Sequence, residues 1–357
     1  MNDIIRTYEI GLNIRLRKEQ AQRMNQRDPY FDNLKFVLIV LVVVGHMIEP
    51  LIYIPIFKSI YAFIYSFHMP LFVFISGYFA KNIDDPKYEI KIISKLVIPY
   101  VIFEMIYSVF DFWIFHKESL HFTFFTPYWM MWFLFSMIIW KAALPYVVRI
   151  RYALPVTFLF GLIAGYTGEL GYYASLSRIV VFFPFFLAGF YFEKKHLEKL
   201  LTRNWRFAAV GVMLLAFLTF CYFGQNYTIS WFYGSASYQA LGDTEWFAGI
   251  YRAGIYLLAA VLGLSLLLLV PGRKIPLVST LGRNTMYTYL LHGLIVKALV
   301  AYGFYQILQT GPQRALVIIL GAALAIILAL NGIRTLFKWM VEPKVSFLFK
   351  ENSKQNI

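Results

Sequence analysis

Two long apolar runs, residues 36–54 and 60–79, joined by a short turn at Pro55, constrain this chain more than any other feature. A helix needs about 20 residues to cross the hydrocarbon core of a bilayer, and each run has that length. In hydrocarbon every backbone N–H and C=O must find an internal partner, so such runs fold as helices, here as an antiparallel hairpin. Each run carries one histidine near its middle, His46 and His68. At 1.5 Å of rise per residue, His46 is expected roughly 15 Å from the start of its helix. An ionisable side chain at that depth is costly. It marks a functional site unless it only bonds a neighbouring helix.

The rest of the chain repeats the pattern. Apolar stretches at 92–115, 128–147, 152–170, 179–192, 207–224, 246–270, 285–305 and 315–337 bring the expected spans to ten. The composition, 60% hydrophobic and 15% charged, excludes a soluble domain of this length. The expected fold class is therefore all-α, a polytopic membrane bundle of about ten transmembrane helices. Net charge is +14, but the Lys and Arg lie in alternate loops rather than in one basic module, which argues against a nucleic-acid partner. About 26 fall on the side of the termini, against about four (Lys58, Lys117, Arg178, Arg314) on the other. By the positive-inside rule both termini are expected in the cytoplasm. Residues 1–30 read as a basic N-terminal segment with an apolar helical stripe, 31–338 as the transmembrane domain, and 339–357 as a basic tail. No cleavable signal peptide is expected, and the single cysteine, Cys221, rules out an internal disulfide framework.

The residues around the two histidines resemble a known family. Asp32 and Lys35 precede Gly45-His46; Phe67-His68-Met69-Pro70-Leu71-Phe72 and Ile75-Ser76-Gly77-Tyr78 follow. Further on come Trp132-Phe133-Leu134, Phe183-Pro184-Phe185-Phe186-Leu187-Ala188-Gly189 and Leu281-Gly282-Arg283-Asn284-Thr285, with Tyr289 and His292. This pattern resembles the acyltransferase-3 family of integral membrane O-acyltransferases, in particular its fucose 4-O-acetylase-like branch, over about residues 28–340. The family usually has Arg where this chain has Lys35. The resemblance implies a bacterial plasma-membrane enzyme that moves an acetyl group from acetyl-CoA, a co-substrate, to a carbohydrate acceptor. That acceptor is a sugar hydroxyl of a cell-envelope polysaccharide or its lipid-linked precursor.

O-acyl transfer needs a base for the acceptor hydroxyl, a site for the thioester donor and donors for the developing oxyanion. His46 is the expected base, since a neutral imidazole accepts a proton. His68 is expected to polarise the thioester carbonyl or to assist His46. Pro70 lacks an N–H and is expected to free a carbonyl near Ser66 and kink the helix there. Glu104 lies mid-span, where a lone carboxylate calls for a partner, with His46 or Arg252 as the expected ones. Asp32 and Lys35, three apart on one helical face, form at least an ordinary ion pair; the functional reading puts Lys35 near the donor phosphates. His292 is expected along the donor path, or equally as a packing residue. Arg178 and Trp132 are expected near the acceptor, although an interfacial Arg and an aromatic belt explain them as well. Arg252 reads either as a substrate contact or as an interfacial side chain. Helix capping and the positive-inside rule suffice for Asn284 and Arg283.

The chain has no Gly-x-Ser-x-Gly elbow, His-Glu-x-x-His, Cys pair or phosphate-cradling glycine loop. No metal, hydrolase triad or nucleotide-driven pump is therefore expected. The competing reading is a proton-coupled transporter or flippase of envelope precursors, with His46, His68 and Glu104 as a proton relay.

Overall fold

Polar residues at the start of the first span are paired, which lets its helix begin before the apolar run does. Asp28 caps the helix by accepting from the Tyr30 N–H at 3.0 Å, and Pro29 sits at the first helical position. Asn33 donates to Pro271 O and Arg273 O and accepts from the Ser279 hydroxyl at 2.7 Å. Helix α1 thus spans Pro29–Ile48 and continues as a 3₁₀ turn, Glu49–Leu51, where Pro50 interrupts the α ladder.

The computed structural model describes residues 28–168, 175–224, 226, 228–345 and 349. The basic segment 1–27, residues 169–174 and most of the C-terminal tail lie outside the described residues. Helices follow as α2 (Pro55–Tyr65), α3 (His68–Tyr78), α4 (Tyr88–Ile92), α5 (Ile98–Ile114), α6 (Trp132–Val147), α7 (Ala153–Ile163) and α8 (Leu176–Tyr191). Then come α9 (Lys194–Glu198), α10 (Arg203–Phe223), α11 (Ala248–Leu269), α12 (Pro276–Leu281), α13 (Thr285–Ala301), α14 (Gly311–Leu328) and α15 (Asn331–Val341). No strand occurs among the described residues. Among the described residues, seven helical stretches are long and apolar enough to cross a membrane, and three shorter apolar ones accompany them: Ala153–Tyr166, Leu176–Tyr191 and Thr285–Ala301. The protein is a multi-pass, all-α membrane bundle, and these ten stretches occupy the ten expected positions.

Two spans are interrupted. The second is broken in its middle: α2 ends at Tyr65 and α3 starts at His68. The expected kink before Pro70 is there, but it separates two half-helices. The tenth was expected over 315–337, yet α14 ends at Leu328 and α15 begins at Asn331 after a corner. Asn284 holds that corner, donating to Ala329 O at 2.8 Å and Asn331 Oδ1 at 3.0 Å. Asn284 stands at the N-cap of α13, but its side chain makes no capping bond. Capping therefore does not explain it.

Glycines set the closest helix crossings. A Cβ on Gly77 of α3 would lie 1.9 Å from Phe186 O on α8, and one on Gly189 of α8 would lie 1.8 Å from Phe74 O on α3. The two helices pack backbone to backbone, as small residues permit in membranes. Gly282 packs in the same way on the carbonyl of Asp32 in α1.

Candidate active site

The break in the second span determines how His68 is held. Its Nδ1 lies 2.8 Å from Ile64 O, and a carbonyl only accepts, so Nδ1 carries the hydrogen. The ring closes the C-terminal end of α2, lines a cavity of about 440 Å³ and keeps its lone pair on Nε2. A neutral His68 so held has no N–H to offer a thioester carbonyl. The expected polarising role therefore does not fit this tautomer, which offers only the acceptor lone pair on Nε2.

His46 lies in the last turn of α1, beyond the mid-helix position expected, because α1 starts at Pro29 and ends at Ile48, ahead of Pro50. Its Nδ1 is 3.2 Å from Glu49 Oε2 and 3.3 Å from the Tyr65 hydroxyl. An ionised carboxylate only accepts, so Nδ1–H is the donor and Nε2 again carries the lone pair. The two rings meet through Tyr65, whose ring centroid is 6.2 Å from that of His46 and 4.6 Å from that of His68. Tyr65 stacks on Tyr61 at 3.9 Å, and the Tyr61 hydroxyl lies 3.0 Å from that of Tyr233. Glu49 was not singled out from the sequence. Its signal was there: a carboxylate three residues after His46, on the same helical face, just before a proline.

Trp129 forms another wall of the site. Its ring meets that of His46 at 4.5 Å, edge to face, and its backbone is left-handed at φ 38°. For a bulky residue that conformation is strained and persists only where neighbours enforce it. The fully buried Glu104 supplies one such restraint, accepting from the Tyr128 N–H at 2.8 Å through Oε1. Its expected partners were His46 or Arg252. A span carboxylate pairing with a backbone N–H 24 residues away leaves no trace in the side-chain pattern. Glu104 does not line the cavity.

His292 stands behind His46, with ring centroids 5.4 Å apart. Its Nδ1–H donates to Thr288 O at 2.8 Å, while the buried Nε2 has no hydrogen-bond partner. It is fully buried and does not line the cavity, unlike the donor-path position expected.

The cavity runs along the bundle between two ends of different character. Near one end lie Ser76, Leu96, Thr285 and Met286, on the side where Gly282 touches Asp32. There Asp32, almost fully buried, pairs with Lys35 at 2.9 Å and with Arg283 at 3.5 Å. The loop holding Arg273 and Lys274 is tied to the same place through Asn33. Asp32 and Lys35 do not themselves line the cavity. Arg283 joins them only in three dimensions. At the other end are Glu49, Arg178, Trp132 and Tyr233. The Arg178 guanidinium lies 5.1 Å over the Trp132 ring, and its Nε donates to Tyr233 O at 3.3 Å. Trp132 also stacks on Phe182 at 5.3 Å, so it is a cavity wall rather than a member of an interfacial belt.

Arg252 is neither at the interface nor in this cavity. It is 2% exposed, donates to Ala236 O at 3.2 Å and lies 4.8 Å over the Tyr238 ring. It lines a separate small cavity behind the helix break, beside Ser66 and Pro70. No group of three or more His, Cys, Asp or Glu able to hold a metal occurs among the described residues.

Comparison with known proteins bears on what such an arrangement does. The chain matches the acyltransferase domain family over residues 28–332. It is also similar to nodulation protein NolL of Sinorhizobium fredii (strain NBRC 101917 / NGR234), 47% identical over 66 residues, which is 16% of this chain and 17% of that protein. NolL of Mesorhizobium japonicum (strain LMG 29417 / CECT 9101 / MAFF 303099) matches with the same identity and coverage. The similarity thus covers about a sixth of the length of these relatives. No solved structure is significantly similar to the chain.

Proposed function

Because this chain belongs to the acyltransferase domain family, which it matches over residues 28–332, we propose that it is a membrane O-acetyltransferase of the fucose 4-O-acetylase-like branch. It takes the acetyl group of acetyl-CoA and places it on a sugar hydroxyl of a cell-envelope polysaccharide or its lipid-linked precursor, in a bacterial plasma membrane. The observation that carries this reading is the cavity that the two histidines share. It has His46 and His68 in its wall, a basic cluster beyond one end and an Arg–aromatic pair at the other.

The cluster of Lys35, Arg273, Lys274 and Arg283 suits the phosphates of acetyl-CoA, which would thread the acetyl-bearing arm past Thr285 and Ser76. Trp132 and Arg178 suit a sugar, the ring offering a stacking face and the guanidinium its N–H donors. His46 Nε2 takes the proton of the acceptor hydroxyl as its oxygen attacks the thioester carbonyl. The C–S bond then breaks, and the departing thiolate recovers that proton from His46. His68 Nε2 accepts a hydrogen bond from a neighbouring hydroxyl of the acceptor sugar, which turns the reacting hydroxyl toward His46.

The test is His46→Gln in proteoliposomes, with radiolabelled acetyl-CoA and the lipid-linked glycan fraction of the cell envelope. Transfer is expected to fall about 10²–10⁴-fold, the usual contribution of a positioned base, with insertion and accumulation unchanged. Near-normal O-acetylation by an inserted variant overturns the assignment. Loss of glycan translocation with acetylation intact favours the proton-coupled transporter instead.

A further inference from the structure

Three buried or half-buried histidines surround this site, and each has its Nδ1 hydrogen committed. His68 and His292 give theirs to main-chain carbonyls four residues back, Ile64 O and Thr288 O. Only His46 gives its own to a carboxylate, Glu49 Oε2 at 3.2 Å. The contact is built by the backbone. Pro50 ends the α ladder, the chain tightens into the 3₁₀ turn Glu49–Leu51, and the Glu49 carboxylate comes under the imidazole one turn earlier. Both side chains line the cavity, with 13% of the His46 and 35% of the Glu49 side chain exposed.

We propose that Glu49 is the positioning residue that makes His46, rather than His68 or His292, the base of this site. The proposal rests on the O-acyl transfer reading above. A carboxylate on Nδ1 holds the ring in the tautomer whose Nε2 accepts the substrate proton. It also offsets the positive charge the ring gains on doing so, as in the acid–histidine pairs of hydrolases. A main-chain carbonyl provides the first effect but, lacking a full charge, much less of the second. The Trp129 ring on one side and the Tyr65 hydroxyl on another leave His46 little freedom to turn.

A double-mutant cycle on the full chain in proteoliposomes tests this, with the same radiolabelled acetyl-CoA and envelope glycan fraction. Glu49→Ala is expected to lower kcat about 10–100-fold, the cost of removing an orienting partner from a metal-bound histidine, with KM for acetyl-CoA unchanged. Glu49→Gln, whose amide oxygen still accepts from Nδ1–H, is expected to recover part of that loss. In a His46→Gln background, Glu49→Ala should cost nothing further, because the two residues act as one unit. A Glu49→Ala loss of equal size in both backgrounds overturns the proposal and leaves His46 as base. So does a loss confined to KM for the glycan, which would make Glu49 an acceptor contact. Full activity of His46→Gln overturns both readings at once.

Discussion

At His68 one imidazole does two jobs with two nitrogens. Nδ1 gives Ile64 O a second donor beside the Phe67 N–H at 3.3 Å, and Nε2, in a ring that lines the cavity, keeps its lone pair. The jobs are separable, because an Asn amide reaches about where Nδ1 stands, and a Gln amide about where Nε2 stands. His68→Asn is expected to keep the bond to Ile64 O and its stability, yet lose transfer about 10²–10⁴-fold if Nε2 takes part in proton movement. His68→Ala removes one of the two donors to that carbonyl and is expected to cost about 0.5–1.5 kcal/mol as well. Thermal unfolding in detergent, alongside the transfer assay, reads both. Transfer at the wild-type rate by His68→Asn makes His68 a structural plug only. Glu104 poses the same question in another form, since its visible partner is the N–H of Tyr128, next to the strained Trp129.

Helices, in turn, are placed by what their surfaces leave out. The α3–α8 crossing depends on Gly77 and Gly189, whose missing Cβ atoms let the two backbones touch. That contact sets where His68, at the start of α3, stands relative to Arg178, near the start of α8. Gly189→Ala must push the helices apart and is expected to cost about 1–3 kcal/mol, with transfer falling in step. Gly254 in α11 is the control. A Cβ there meets nothing within 4 Å, and Gly254→Ala is expected to leave stability the same or slightly higher. Equal loss of melting temperature in the two variants would show that the α3–α8 contact is not what matters.

For the molecule as a whole, the basic loops expected on the cytoplasmic side gather at one end of the bundle. Lys194 pairs with Asp28 at 2.5 Å, Lys81 donates to Phe192 O, and Asn33 holds the loop of Arg273. This end is also where α1 begins and where Arg283 meets Asp32. Cysteine labelling should find Lys87, Lys199 and Lys274 positions accessible from the cytoplasm, and Asn226 and Gln309 positions from outside. Cys221 is exposed and has to be replaced first. Labelling of position 226 from the cytoplasm reverses the orientation and puts the donor on the wrong side.

The sequence alone determined the material and the count: helices only, ten apolar stretches, and two histidines set in the first two of them. Each of these follows from a local transfer free energy, which depends on a run of residues and not on what that run touches. The family pattern around Gly45-His46 and His68 also lay open in one dimension. The site itself did not. The early start of α1 depends on Asn33 reaching Ser279, 246 residues away, and the Asp32 pair depends on Arg283 arriving on another helix. Glu104 finds a main-chain N–H rather than a charge, Arg252 leaves the interface for the interior, and Trp132 turns from belt to wall. In hydrocarbon a polar side chain must take whatever partner packing brings to it. The identity of that partner is therefore decided only once the helices have packed.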